Sequence, residues 1–239
     1  GDDTTPEGEQ VNIYGNHVGS WNFAATAHLN RWKVKIYYEH YFDDHSQMFF
    51  QYGRWKDGHI GLEITFPKNR FIDTFVYEGL GTKDQTGPML YDSFWGKFEE
   101  QISAKDNYYN HYLYQGWQHW GMGIGNPLLP GPIYNKNGQI TFISNRVLAH
   151  HIGFCGSPCQ SLSYRMLLSY SRHWGTYDNP LNEIKKQFNS LFEVTYAPQQ
   201  LKGWSFTVSG AMDRGSMLGN NYGGMLVIRK QGIIKSGNK

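Results

Sequence analysis

From Gly19 onward, apolar and polar side chains alternate with a period of two, the spacing that sends successive side chains to opposite faces of a β-strand. Trp21, Phe23, Ala25, Ala27 and Leu29 fall on one face and Ser20, Asn22, Ala24, Thr26 and His28 on the other. After a short Asn30-Arg31 turn, Trp32, Val34, Ile36, Tyr38 and Phe42 alternate with Lys33, Lys35, Tyr37 and Glu39. His59–Phe66 repeats the pattern, and Phe71–Gly79 follows as a fourth strand. Alternation resumes at Asn145–Phe154 and is cleanest from Ser161 to His173. There Leu162, Tyr164, Met166, Leu168 and Tyr170 oppose Ser163, Arg165, Ser169, Ser171 and His173. Phe188–Tyr196, Trp204–Asp213 and Tyr222–Arg229 complete about nine strands. The first two run for about ten residues, the length of a membrane-crossing strand rather than of an ordinary one.

The predicted turns alternate in length. Residues 30–31, 67–70, 155–160 and 197–203 are short; 43–58, 80–144, 174–186 and 213–221 are long. Outer-membrane barrels carry short turns at one end and long loops at the other. The order keeps step only if 80–144 makes no net crossing. Inside it, Tyr108–Gly116 and Gln139–Ser144 read as a local hairpin. Its centre, DNYYNHYLYQGWQHWGMGIGNPLLPGP from Asp106 to Pro132, has glycines that permit unusual backbone and prolines that stop regular pairing. Long irregular segments are functional or disordered, and this one is too aromatic for disorder. The predicted fold is therefore all-β: an antiparallel up-and-down outer-membrane-type β-barrel, or the C-terminal half of one. It forms a single domain over 1–239, with strands in 18–79 and 145–232 and with 80–144 as an external or plug excursion.

Composition narrows this. The chain has 239 residues, 16 % aromatics and a mean hydropathy of −0.59. No run of about 18 apolar residues exists, so no membrane helix is expected; a soluble β-sandwich remains the other all-β reading. A net charge of +2 with no basic tract gives no reason to expect nucleic acid. Cys155 and Cys159 in CGSPC suggest a tight turn, bridged by a small-loop disulfide or left as two free thiols. Two cysteines without a second pair are a poor zinc signal.

Several longer motifs carry a resemblance. GNHVGSWN, KIYYEHYFDDHSQMFF, WKDGHIGLEITFPKN, EGLGTKDQTGP, DNYYNHYLYQGWQHWGMGIGNPLL, NRVLAHHIG, SYSRHWGTYDNP and WSFTVSGAMDRGSMLGNNYGGMLVIRK resemble the capsule assembly Wzi family in its Bacteroides-type form. The resemblance runs from about Gly15 to Gly232. It implies an outer-membrane barrel of about eighteen strands, associated with capsular polysaccharide at the cell surface and not with catalysis. Family members are about twice as long, so the chain corresponds to their C-terminal half. Either an N-terminal half belongs before it or it is a shorter relative.

Carbohydrate recognition needs flat aromatic faces for sugar C–H surfaces and polar groups for hydroxyls. The excursion supplies Tyr108, Tyr109, His111, Trp117, His119 and Trp120, flanked by Asp84, Gln85 and Asp106. The same aromatics would serve equally to pack the loop onto the barrel. Arg31, Lys33, Lys35 and Arg165 on the polar faces either line a lumen that attracts acidic glycans or form a solvated face neutralised by Glu39 and Glu63. Asp43-Asp44-His45 reads as a solvated loop. His150 and His151 point to opposite faces and cannot share one ion. No G-x-S-x-G elbow is present. The expectation is a non-catalytic protein of the outer membrane, without cofactor or metal, whose partners are capsular polysaccharide and outer-membrane lipid. A porin-like channel constricted by the excursion is the runner-up, and a barrel-embedded hydrolase the third reading.

Overall fold

A computed structural model describes residues 19–42, 57–85, 107–110 and 117–232. Its strands are β1 Gly19–Leu29, β2 Trp32–Phe42, β3 Gly58–Thr65, β4 Thr74–Gly81, β5 Gln118–His119, β6 Met122–Gly123, β7 Val147–Cys159, β8 Leu162–Gly175, β9 Pro180–Tyr196, β10 Trp204–Gly215 and β11 Asn221–Lys230. All but β5 and β6 form one nine-stranded sheet in chain order, with every neighbour antiparallel. β4 and β7 lie side by side, so the excursion between them leaves and returns at the same end of the sheet, as the alternation required. Among the described residues β1 pairs only with β2 and β11 only with β10. The sheet is open at both edges and does not close on itself.

Four details differ from the sequence reading. β4 starts at Thr74; Phe71 is exposed in the preceding turn, which Asn69 holds together. The Asn69 Oδ1 accepts from the N–H groups of Phe71 at 2.8 Å and Ile72 at 2.9 Å, and its Nδ2 donates to Ile72 O at 2.7 Å. β7 runs on through the CGSPC segment, taking up the extra residues as a bulge between Gly156 and Cys159; both cysteines are free thiols. β9 begins at Pro180 and not at Phe188, which reduces the expected loop 174–186 to residues 176–179. That connection and 216–220 are no longer than 66–73 and 197–203, so loop length sorts to one end only through 43–57 and 82–146. Finally, 139–144 forms no strand, 111–116 lie outside the described residues, and the local hairpin among the described ones is β5–β6.

Register aligns one apolar face across all nine strands. One cross-strand row reads Ala25, Ile36, Leu62, Tyr77, Ile152, Leu168, Ser190, Met212, Tyr222. Phe23, Ile36, Ile60, Val208 and Leu226 on this face are each more than half exposed. No Asp or Glu stands at a strand position on it. The buried core lies elsewhere, on the opposite, polar face, where Leu80, Val147 and Ala149 meet Leu129 and Phe142 of the excursion.

The polar face is tied together along its own rows. Ala24, Tyr37, Gly61, Glu78, His151, Ser169, Asn189, Asp213 and Asn221 are paired in turn. Because Gly61 has no side chain, the Tyr37 ring lies across β3 and its hydroxyl donates to Glu78 Oε1. A Cβ at Gly61 would stand 2.0 Å from that ring. Further along, Ser169 Oγ is 2.7 Å from His151 Nδ1, and Asn189 Nδ2 donates to Asp213 Oδ1 at 2.7 Å. The Tyr37 ring over Gly61 is an aromatic side chain covering a strand glycine.

Gly61→Val therefore displaces Tyr37 and breaks its bond to Glu78, lowering stability by about 1–3 kcal/mol as an overpacked site does. Gly210→Val, with nothing within 4 Å of its Cβ, stays within about 0.5 kcal/mol of the parent. Equilibrium urea unfolding followed by circular dichroism distinguishes them; equal midpoints would remove the role given to Gly61.

Candidate functional site

At the end of the sheet where the excursion is rooted, the polar face changes character. Polar positions give way to Leu80, Ala149 and Val147, and this is where the excursion docks. Phe142 is buried there with Tyr109 stacked on it, ring centroids 5.0 Å apart. Polar fastening surrounds this contact. Asn110 Nδ2 donates to Phe142 O and its Oδ1 accepts from Phe142 N, both at 2.8 Å. Thr82 Oγ1 donates to Asn145 O at 2.7 Å and accepts from Val147 N at 3.0 Å. Asp57 takes three donors: Asp84 N at 2.9 Å, Gln85 N, and the Tyr108 hydroxyl at 3.0 Å. Burial nevertheless pushes the Asp57 carboxyl up to about 6, against those three hydrogen bonds, which pull it down.

Between the docked excursion and the sheet lies a cavity of about 470 Å³, within the size range of small-molecule sites. Its sheet wall carries Ser20, Glu39, Tyr41, His59, Glu78 and His151; its other wall is Tyr108, Tyr109 and the 124–129 segment. His59 bridges the two carboxylates, Nδ1 3.6 Å from Glu39 Oε2 and Nε2 3.5 Å from Glu78 Oε1. Ser20 Oγ donates to Glu39 Oε1 at 2.7 Å. One wall thus presents acceptors and an imidazole, the other aromatic and aliphatic surface. That combination suits a ligand with hydroxyl or amino groups on one side and C–H surface on the other. Among the described residues no group of three His, Cys, Asp or Glu side chains is arranged to hold a metal ion.

The predicted site residues separate. Tyr108 and Tyr109 line the cavity, Tyr108 by way of its anchor on Asp57. Asp84 and Gln85 belong to the fastening; Gln85 is fully buried, with Nε2 3.1 Å from both oxygens of Asn145. Trp117, His119 and Trp120 sit on the β5–β6 hairpin and do not line the cavity. Trp120 and Gly121 have φ of 52° and 79°, the two left-handed positions of a type I′ turn. This holds Trp120 at the hairpin tip, 83 % exposed. His111, Asp106 and residues 43–56 lie outside the described residues. The basic candidates do not converge. Arg31 is in the β1–β2 turn, Lys33 is exposed, Lys35 lies 5.1 Å from the Tyr37 ring, and Arg165 pairs with Glu193 at 3.0 Å. Sequence reasoning missed Glu39, His59, Glu78 and His151. Alternation puts each on the polar face, but only the register sets Glu39 opposite His59 and Glu78 opposite His151.

No family model matches the chain, and neither a curated protein nor a solved structure does.

Asp57 makes the fastening pH-dependent. Its folded-state pKa lies above the ordinary aspartate value, so the folded chain keeps a proton that the unfolded chain has lost. The stabilisation is fully present below about pH 4 and is lost as pH rises through about 6, a change of up to about 3 kcal/mol. Urea midpoints at pH 4.5 and 7.5, read by tryptophan fluorescence, should converge in Asp57→Asn relative to the parent. An Asp57→Asn variant with the parent's pH profile would contradict this.

Proposed function

We propose that the chain forms part of the membrane-embedded barrel of a non-catalytic outer-membrane protein that engages capsular polysaccharide at the cell surface. The observation that carries the membrane reading is the apolar face, which is continuous over nine strands, exposed and free of acids. Its height fits. On β8 the run from Leu162 to Arg172 and on β9 the run from Lys186 to Tyr196 each advance ten residues, about 33 Å along a strand or about 25 Å once tilted by about 40°. Aromatic pairs stand near both borders: Trp21 with Phe42, Trp32 with Phe66, Trp204 with Phe206.

Lipid does not tolerate an open strand edge. With nine strands, β1 and β11 run the same way, so joining them directly would make a parallel seam. Pairing through further strands, as in a family of barrels about twice this size, satisfies both edges. The glycan reading rests on the Wzi-like motifs together with two features: the carboxylate-and-tyrosine cavity and the exposed Trp120. Glu39 and Glu78 favour neutral or amino sugar units over acidic ones at the cavity.

A hydrolase reading has one observation in its favour. Ser169 and His151 are in hydrogen-bond contact, and His151 pairs in register with Glu78. Failure of an active-site-directed fluorophosphonate to label Ser169 would remove it.

Binding of purified capsular polysaccharide, measured by biolayer interferometry, tests the main reading. Trp120→Ala and Tyr109→Ala each weaken binding about tenfold, roughly 1.4 kcal/mol, with unchanged circular dichroism. Unaltered affinity in both variants would sink the glycan assignment.

A further inference from the structure

The outward face is neutral through its middle, but its charge at the excursion end is one-signed. Lys83, Arg146 and Trp174 continue the strand register there as one cross-strand row: Thr82 N donates to Val147 O at 2.9 Å and Trp174 N to Arg146 O at 3.0 Å. In the next rows toward the middle, Arg172 is paired with Lys186, and Arg214 with Phe188. Cations from β8, β9 and β10, and from the segments flanking β4 and β7, thus collect at one border of the apolar band. None of them has a carboxylate partner among the described residues. Two of them share one ring: Lys83 Nζ lies 5.3 Å and the Arg172 guanidinium 5.4 Å from the centroid of Trp174. At the opposite border the outward strand positions carry only Lys230, beside Trp204. An acid, Asp73, continues the register of β4 there, and Arg31, Lys68, Arg70 and Lys202 lie in the turns beyond, so the charge at that border is of mixed sign.

Like charges gathered without acids repel one another unless anions come between them. The depth of this row selects the anion. It sits where the apolar band ends, at headgroup level, around a half-buried tryptophan of the kind that marks a membrane interface. Arginine in particular offers a fork of donors matched to phosphate oxygens. We propose that Lys83, Arg146, Arg172, Lys186 and Arg214, around Trp174, form a binding surface for phosphorylated lipid headgroups of the leaflet on the excursion side. The proposal rests on the membrane reading above. It adds that the two borders of the band differ, with phosphate bound at one of them.

The test uses the full chain in neutral detergent micelles. Native mass spectrometry and fluorescence titration measure retention of phosphatidic acid against phosphatidylcholine, with inorganic phosphate as competitor. The proposal expects phosphatidic acid to bind at least tenfold more tightly than phosphatidylcholine. It expects that preference to disappear in Arg172→Gln/Lys186→Gln/Arg214→Gln, to persist in Lys230→Gln, and to weaken as salt rises. Equal retention of the two lipids overturns it, as does a triple variant that keeps the preference with unchanged circular dichroism. Competition by millimolar inorganic phosphate equal to that by the lipid would make this a free-anion site, and preferential binding of an acidic polysaccharide a glycan site; either overturns the lipid assignment. A chain that is folded and monodisperse without detergent refutes the membrane reading itself. A detergent-requiring chain without phosphate preference refutes only this inference.

Discussion

A β-strand sends alternate side chains to opposite sides, and everything else in this structure depends on the register that keeps the two sides distinct across nine strands. A slip of one residue in the pairing of β4 would put Glu78 among Leu62 and Ile152, and one in the pairing of β10 would put Asp213 beside Ser190 and Tyr222. The pairing instead aligns Tyr37, Glu78, His151, Ser169, Asn189 and Asp213 in one polar row, and the row is bonded to itself. Each of those bonds is formed only in the correct register. The polar face therefore specifies the alignment that leaves the strand positions of the other face free of acids.

The excursion uses the same division. It docks where positions on the polar face become apolar, at Leu80, Val147 and Ala149, and its backbone polar groups are met by Asn110, Asn145, Thr82 and Gln85. Docking creates the cavity, because the excursion roofs the carboxylates of Glu39 and Glu78 instead of filling the space above them. The site and the lid are thus one packing decision, and the titration of Asp57 acts on both.

Most of the sheet was legible in the sequence because period-two alternation is a local property. Where it failed, the local signal was absent. The first half of β9, Pro180 to Gln187, extends past the apolar band, so it carries Asn182, Glu183, Lys185 and Lys186 and reads as loop. The bulge in β7 interrupts the period at Gly156, and the cysteines and proline around it look like a turn. Within the excursion the aromatics were recognisable as a set, but their roles were not. Tyr109 is half-buried, stacked on the buried Phe142, while Trp120 stands exposed, and that difference comes from Asn110 and from a type I′ turn. The Glu39–His59–Glu78 bridge depends on partners 20 and 19 residues apart and became visible only with the strand pairing.

The central claim is that the outward face meets lipid, and one substitution at the middle of β10 tests it most directly. Val208 is well exposed on that face. If the face is embedded, Val208→Arg places a charge near the bilayer midplane and costs about 2–4 kcal/mol, measured as unfolding free energy in phospholipid vesicles. If the face meets water, an exposed valine replaced by arginine changes stability by no more than about 0.5 kcal/mol, and that result would contradict the account.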